Sequence, residues 1–336
     1  MALAVSAKFT KDQRVLAVTQ SHAAAINLHR RLEHFGVPAA RVGWTLTAQE
    51  VVSQKIFEMM RSGREEDEES DLLIRISSSA KAEEKDGLRS NEQKRAHFVV
   101  MRRMARLSQV IVMTFASSGN AVLLQSLGEI PLLLVDEAAQ CVEPGLFVPL
   151  NWGSVAFALV GDEKQLPATI LSKKASQLDL GVSIFERFVR DEIVSLGNGF
   201  VQLDEQQRMH PSIARFPCDA FYGGTIRDGL AMSKRELIPG FPWPVPGCHV
   251  AFVECGYMTG EEGNLGGSHS NYKEANVLLT VLKRCLAEGT LPSQVGIITG
   301  YSAQQVRRLG RLCCSLPQEV AFQDLAVHTY SHWKKA

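Results

Sequence analysis

Ile130-Pro-Leu-Leu-Leu-Val-Asp-Glu-Ala-Ala-Gln140 is an apolar run that ends in two adjacent carboxylates. Leu132 to Val135 leave no alternating polar position, so both faces of the segment are expected to be buried, as in a central strand of a parallel sheet. In open α/β sheets the ligand lies beyond the carboxyl ends of the strands, which is where Asp136 and Glu137 emerge. There one carboxylate suits a hydrated magnesium ion and the next suits a water that must be oriented or deprotonated, two of the parts needed to cleave a nucleoside triphosphate. The alternative is that Asp136 merely caps the next helix.

A second strand end of the same kind lies 25 residues on. Residues 155–160 (Val-Ala-Phe-Ala-Leu-Val) read as another buried strand, followed by Gly161-Asp-Glu-Lys-Gln-Leu-Pro-Ala-Thr169. Glycine permits a sharp turn at the strand end and Pro167 stiffens the loop. Asp162 and Gln165 are short polar groups at the same edge, and a neutral amide can sense a γ-phosphate by hydrogen bonding without burying another charge. Two strands that each end in an acid and a polar loop favour a site over a helix cap.

Working outward, residues 14–18 predict a short buried strand. A polar turn with Ser21 follows, then a helix over residues 23–35 stopped by Gly36. Ser21 either touches a phosphate or caps that helix. Residues 1–9 have helical spacing without a cap ahead of them. From about residue 53 to about residue 95 the chain is dense in charge, as in Arg64-Glu-Glu-Asp-Glu-Glu69, and reads as a solvated insertion. Residues 98–107 predict a helix carrying Arg102, Arg103 and Arg106, and residues 110–114 a strand that places Thr114 at its carboxyl end. Beyond the second acid loop, residues 184–194 predict a closing helix and residues 199–203 a strand. Residues 249–253 predict a strand, residues 272–286 a helix, and residues 295–299 a strand leading to Tyr301. That tyrosine either stacks a base or packs half-buried in a core.

Composition narrows the classes. The 336 residues allow about two domains, and 36 basic residues balance 36 acidic ones, so any nucleic-acid contact must be local rather than driven by net charge. Seven cysteines include no Cys-x-x-Cys pair and read as reduced thiols, with no zinc spacing among the cysteines and histidines. No apolar run approaches a membrane span, so the expected setting is cytosol or nucleus, without a membrane.

Taken in order, Asp136-Glu-Ala-Ala-Gln140, Gly161-Asp-x-x-Gln-Leu-Pro-Ala-Thr169 and Gln206-Gln-Arg-Met-His-Pro211 resemble the superfamily 1 helicases of the nonsense-mediated-decay and senataxin type. Phe221-Tyr-Gly-Gly224, Asn271-Tyr-Lys-Glu-Ala275 and Val295-Gly-Ile-Ile-Thr-Gly-Tyr-Ser-Ala-Gln304 extend the resemblance over nearly the whole chain. It implies an α/β chain of two RecA-like parallel-sheet domains of the P-loop NTPase type, both incomplete, at residues 1–203 and 204–336. It further implies an ATP-dependent motor that translocates on single-stranded RNA or DNA as a monomer, with protein partners in RNA processing or decay.

By the same resemblance Asp136 binds magnesium through water, Glu137 activates the attacking water, and Gln165 couples the γ-phosphate to nucleic-acid contacts. Arg208 acts as an arginine finger, neutralising charge on the transferring phosphoryl group. Asp162, Gln206 and Gln207 fall at the ATP and magnesium site, and Ser21, Thr114 and Tyr301 along the nucleic acid. The sequence departs from the family in three places. It holds no Gly-x-x-x-x-Gly-Lys-Ser/Thr loop, which in the family precedes the helix at residues 1–9, so truncation at both ends is expected. Gln207 stands where the family has tyrosine. Asp324-Leu-Ala-Val-His-Thr329 leads toward the family's motif V, but the chain ends at Ala336 without that motif or the last one. Two other classes remain beside a weakly active helicase fragment: a non-catalytic nucleic-acid-binding scaffold, and a magnesium-dependent nuclease built on acids 136, 137 and 162.

Overall fold

Strands rich in Val, Ile and Leu with no polar alternation bury both faces, and the first half of the chain is built on three of them. The computed structural model describes residues 14–43, 91–255, 268–301, 303–304 and 326–329, which fall into two compact units dividing between Ser195 and Leu196. The first unit runs β1 (Val15–Thr19), α1 (His22–His34), β2 (Ala39–Arg41), α2 (Asn91–Leu107), β3 (Val110–Thr114), α3 (Phe115–Ser118), α4 (Ala121–Leu127) and β4 (Leu132–Val135). A 3-10 turn at Ala138–Gln140 leads on to α5 (Glu143–Leu150), β5 (Ala156–Leu159), α6 (Lys173–Gln177) and α7 (Ile184–Arg190). The five strands form one parallel sheet in the order β2-β3-β1-β4-β5. The expected α/β fold with a central strand ending in Asp136 is therefore what the chain adopts.

Alternation along β1, β3 and β4 divides their side chains between two cores. Leu16, Val18, Ile111, Met113, Leu133 and Val135 join Trp152, Leu123 and Leu146 on one face. Val15, Ala17, Val110, Val112, Leu132 and Leu134 pack with Ala25 and Leu32 of α1 on the other. Because all five strands are parallel, their carboxyl ends share one edge. That edge carries Thr114, Thr19, Asp136 and Gly161 in neighbouring positions.

Local polar groups fix the helix ends. The Ser21 hydroxyl accepts from the Ala24 N–H at 3.1 Å and caps α1. Asn120 accepts from the Val122 and Leu123 N–H groups and caps α4. The Arg106 guanidinium donates to the Ser126 carbonyl at 2.7 Å, and Arg14 donates to the Leu127 carbonyl, so two cations satisfy the carboxyl end of α4. Arg106 thus has a structural partner within its own unit.

The described part of the second unit contains two parallel pairings. β8 (Glu205–Gln206) pairs with β9 (Arg227–Asp228), and α8 (Pro211–Tyr222) makes the crossover between them. β10 (Gly296–Thr299) pairs with β11 (Ala326–Thr329). Between those pairs α9 (Tyr272–Ala287), capped by the Asn271 side chain, buries Ala275, Leu279, Leu282 and Cys285 at helical spacing.

Several expectations need correction. The strand at residues 155–160 is not buried: β5 pairs only with β4, Phe157 is 43 % exposed and Val155 86 %. An apolar run reports a preference for burial, but a strand with one neighbour at the sheet edge leaves its side chains uncovered. The strand expected at residues 249–253 forms no ladder among the described residues, and Phe252 is 88 % exposed. At residues 199–203 only Gly199–Phe200 (β7) pairs, with Ser195–Leu196 (β6). The helix expected at 98–107 begins at Asn91, which takes residues 91–95 out of the expected insertion, and α7 ends at Arg190 rather than 194. The expected helix of residues 1–9 and residues 53–90 of the insertion lie outside the described residues. Among the described residues Cys141, Cys218, Cys248, Cys255 and Cys285 are free thiols, and burial pushes the Cys141 thiol up to about 11.

Candidate functional site

Asp136 and Glu137 sit in a turn stitched to both neighbouring strands. The Asp136 N–H donates to the Val18 carbonyl at the end of β1 at 2.9 Å, and the Ala138 N–H donates to the Val160 carbonyl beyond β5 at 2.9 Å. Between these anchors Glu137 takes the left-handed conformation, φ 56° and ψ 43°, a sparsely populated region for a residue with a Cβ. Such outliers gather at functional sites because the surroundings must hold them in place. Neither carboxylate caps the 3-10 turn that follows: the N-cap position falls to Glu137, whose side chain makes no capping bond to the turn's backbone. The helix-cap reading of the acid pair therefore fails on geometry.

Asp136 is half-buried, and burial pushes its carboxyl above the usual carboxylate range, against the opposing pull of the Glu137 N–H and of Arg31. An oxygen ligand held partly out of water at a sheet edge fits a hard cation such as magnesium, which keeps most of its waters and takes one or two carboxylates. The raised pKa also bears on stability. A carboxyl whose folded pKa exceeds its unfolded value leaves the fold most stable below the unfolded pKa, and stability is lost as pH rises through the folded pKa. At neutral pH the ionised Asp136 thus works against the fold. Asp136→Asn is expected to raise the thermal midpoint by about 2–4 °C at pH 7 and to leave it unchanged near pH 3. Magnesium is expected to raise the midpoint of the parent chain but not of the variant, as differential scanning fluorimetry would record.

Glu137 is held by a residue the motif reading left without a role. Gln140 donates from Nε2 to Glu137 Oε2 at 3.1 Å across the single 3-10 turn. The i to i+3 spacing within Asp136-Glu-Ala-Ala-Gln140 was the available signal, since side chains three apart eclipse in a 3-10 turn.

Gly161 explains how the second loop reaches the first. A Cβ built on Gly161 would lie 2.9 Å from the Ala139 nitrogen and 3.2 Å from the Ala138 nitrogen, so the two loops meet backbone to backbone. Gly161→Ala is expected to displace the Asp136–Ala139 turn and destabilise the unit by about 1–3 kcal/mol, read as a lower urea midpoint. Beyond it, the Asp162 carboxylate accepts from the Lys164 N–H at 3.0 Å and from Gln165 Nε2 at 2.8 Å. Gln165 is exposed and Asp162 half-buried. Acids 136, 137 and 162 do not make a three-ligand metal cluster, and no such group occurs among the described residues, which leaves the nuclease reading without a site.

Of the other edge residues, Ser21 is engaged as the α1 cap. Thr114 is 5 % exposed, accepting from the Ser117 N–H at 3.3 Å and donating to Ser117 Oγ at 3.0 Å. Both stand at the carboxyl edge with their hydroxyls committed to helix caps.

In the second unit the Gln206-Gln-Arg-Met-His-Pro211 stretch forms a tight loop that leads into α8. Gln206 organises it. Its Oε1 accepts from the Arg208 N–H at 2.9 Å and the Met209 N–H at 2.7 Å, while Nε2 donates to the Met209 carbonyl at 2.7 Å and to Asp228 at 2.6 Å. Its side-chain amide is thus spent on the loop backbone and on Asp228 of β9. Gln207 donates to Glu205 and lies over Gly229. Arg208 is exposed, and among the described residues its guanidinium forms no ion pair, so a structural salt bridge does not account for it. Tyr301 is 51 % exposed, edge-on to His269 with ring centroids 5.2 Å apart, beside a cavity of about 370 Å³ lined by Asn271, Glu274, Thr299 and Gln304.

The first unit is an α/β fold whose parallel sheet carries an acid pair at its carboxyl edge, and the second unit presents Arg208 on its surface. Two family models, each described as an AAA domain, match residues 78–173 and 180–330. "Regulator of nonsense transcripts 1" of Dictyostelium discoideum is 31 % identical over 313 residues, covering 89 % of this chain and 22 % of that protein. "ATP-dependent helicase NAM7" of Saccharomyces cerevisiae is 29 % identical over 305 residues, covering 89 % of this chain and 30 % of that protein. "Regulator of nonsense transcripts 1 homolog" of Arabidopsis thaliana is 38 % identical over 175 residues, covering 52 % of this chain and 13 % of that protein. The chain belongs to the superfamily 1 helicases related to these regulators of nonsense transcripts. It spans less than a third of the length of each of the three.

Proposed function

We propose that this chain supplies the magnesium-and-water half of an ATP site in a helicase core that couples hydrolysis to movement along single-stranded RNA or DNA. The observation that carries this reading is the acid pair at the end of β4, clamped to the ends of β1 and β5, in a chain homologous to proteins named ATP-dependent helicases. In the proposed division, residues 1–203 form one RecA-like domain and residues 204–336 a second. Asp136 holds magnesium through water, and Glu137, positioned by Gln140, takes a proton from the attacking water. Gln165 and Asp162 respond to the γ-phosphate, and Arg208 is delivered to the transferring phosphoryl group. Gln206 and Gln207 shape the loop that presents Arg208. Ser21 and Thr114 support the nucleic-acid face through the helix ends they cap, and Tyr301 offers an exposed ring to a base. The setting fits cytosol or nucleus, with partners in RNA processing or decay and a monomeric chain. Among the described residues no helix is long and apolar enough to cross a membrane.

The chain by itself is expected to hydrolyse ATP slowly or not at all, because its sequence holds no Gly-x-x-x-x-Gly-Lys-Ser/Thr cradle for the β- and γ-phosphates. That same feature favours a second reading, a nucleic-acid-binding scaffold derived from a helicase. Phosphate release and strand binding by the purified chain separate the outcomes. Background turnover with strand affinity that responds to Mg-ATP supports the helicase-core reading. Tight strand binding indifferent to nucleotide supports the scaffold. Strand-stimulated turnover at a rate of about 1 per second or more would overturn the claim of weak activity.

A further inference from the structure

Two histidine rings, 39 residues apart in sequence, lie stacked at the entrance to α8. The His210 and His249 centroids are 3.6 Å apart with the planes inclined by 27°. His210 is the N-cap of α8: its Nδ1 accepts the Ser212 N–H at 3.2 Å. Ser212 Oγ lies 2.9 Å from the same nitrogen and accepts the His249 N–H at 2.9 Å, so one hydroxyl joins the two segments. His249 Nε2 lies 3.1 Å from the Arg235 carbonyl. A carbonyl can only accept, so Nε2 carries the proton and Nδ1 is bare when the ring is neutral. That Nδ1 is buried and has no partner. The indole of Trp243, 6.3 Å from His249 and packed against Phe241, closes the apolar side.

The α8 cap requires neutral His210, because only a bare Nδ1 can accept the Ser212 N–H. A proton on His210 Nδ1 would turn the acceptor of the α8 cap into a donor facing another N–H, at the positive end of the helix dipole. Charging either ring sets it 3.6 Å from the other, and charging both is repulsive at that distance. The groups acting on His210 are His249 from the facing segment and Asp228 from β9; the first opposes the charge and the second favours it. The balance falls against the proton, since desolvation and His249 hold His210 below the ordinary imidazole value.

We propose that the His210–His249 stack is a proton-sensitive latch on the loop that presents Arg208. When both rings are neutral the latch caps α8 and pins the segment at His249 through Ser212. When His210 is protonated its Nδ1 no longer accepts the Ser212 N–H, the cap is lost, and the loop between Gln206 and His210 loses the anchor at its carboxyl end. The sign follows from linkage: neutral His210 contributes stability above the unfolded imidazole pKa, and that stability is lost as pH falls toward the depressed folded value. The latch is defined by the loop and helix alone. Its effect on hydrolysis rests on the proposed role of Arg208.

Histidine-ring NMR and amide hydrogen exchange on the full chain between pH 8 and pH 5 test it without reading hydrolysis. The expected result is that protection of the amides at the start of α8, Ser212 first, falls by about fivefold to tenfold below pH 6, the loss expected of an N-cap, in step with titration of His210. His210→Asn, which caps without titrating, should keep that protection at pH 5. His249→Phe, which keeps a stacked ring but removes the imidazole that opposes charge on His210, should move the transition to higher pH. Protection that is flat from pH 8 to pH 5 in the parent chain would overturn the latch, as would a transition that persists in His210→Asn. Should either variant fail to fold, the parent titration decides by itself.

Discussion

Trp152→Ala is expected to cost the first unit about 3–5 kcal/mol, a large share of the roughly 5–15 kcal/mol that holds a domain together. Trp152 is fully buried among Leu123, Ile130, Leu133 and Leu146. Its indole N–H donates to the Ser118 carbonyl at 2.7 Å, which closes α3, and its own carbonyl accepts the Ile130 N–H at 2.8 Å, which fixes the approach to β4. Removing the ring leaves a large cavity, strands the Ser118 carbonyl and loosens the strand that delivers Asp136 and Glu137. Trp152→Phe separates these effects. It restores much of the volume but not the donor, and is expected to cost about 1–3 kcal/mol, the penalty of one unsatisfied buried acceptor. Urea unfolding followed by circular dichroism reads both, and a midpoint for Trp152→Ala equal to the parent's would contradict the assigned role.

The sheet was legible where burial is two-sided. In β1, β3 and β4 the residue pattern and the neighbours agree, because a central strand needs apolar side chains at every position and the sequence supplies them. In β5 the same pattern misleads. Ala156 to Leu159 read as buried, yet the strand lies at the edge, since composition reports what a strand prefers and not how many strands flank it. His249 to Val253 shows the same limit, because β-propensity without a partner makes no ladder.

In the candidate site, the acids were legible because an abrupt change from Val135 to Asp136 marks a strand end facing solvent. The left-handed backbone at Glu137 was not, as nothing in a glutamate announces φ > 0. Gln140 was within reach, three residues after the acid it contacts. Gln206 was not. An amide can serve a nucleotide or its own loop equally well, and it is the fold that spends its oxygen and nitrogen on Arg208, Met209 and Asp228. The stack of His210 on His249 joins segments far apart in sequence and leaves no local signature.

Glu137→Gln carries the largest expected functional effect. The substitution is nearly isosteric, and the amide can still meet Gln140, so the turn between the Val18 and Val160 carbonyls should survive. What is lost is the ability to take a proton from water, a contribution of about 10²–10⁴ in rate for a positioned general base. Nucleotide affinity, set by phosphate and metal contacts, should change by no more than about threefold, the pattern of an interaction made only in the transition state. The most direct test supplies the phosphate cradle by fusing a family member's Gly-x-x-x-x-Gly-Lys-Ser/Thr segment ahead of this chain and measures single-strand-stimulated ATP turnover with and without Glu137→Gln. The predicted result is turnover in the fusion and its loss by about 10²–10⁴ in the variant, with ATP still bound. Turnover in the variant within about threefold of the unsubstituted fusion would contradict the assignment of Asp136 and Glu137 as the metal-and-water half of the site.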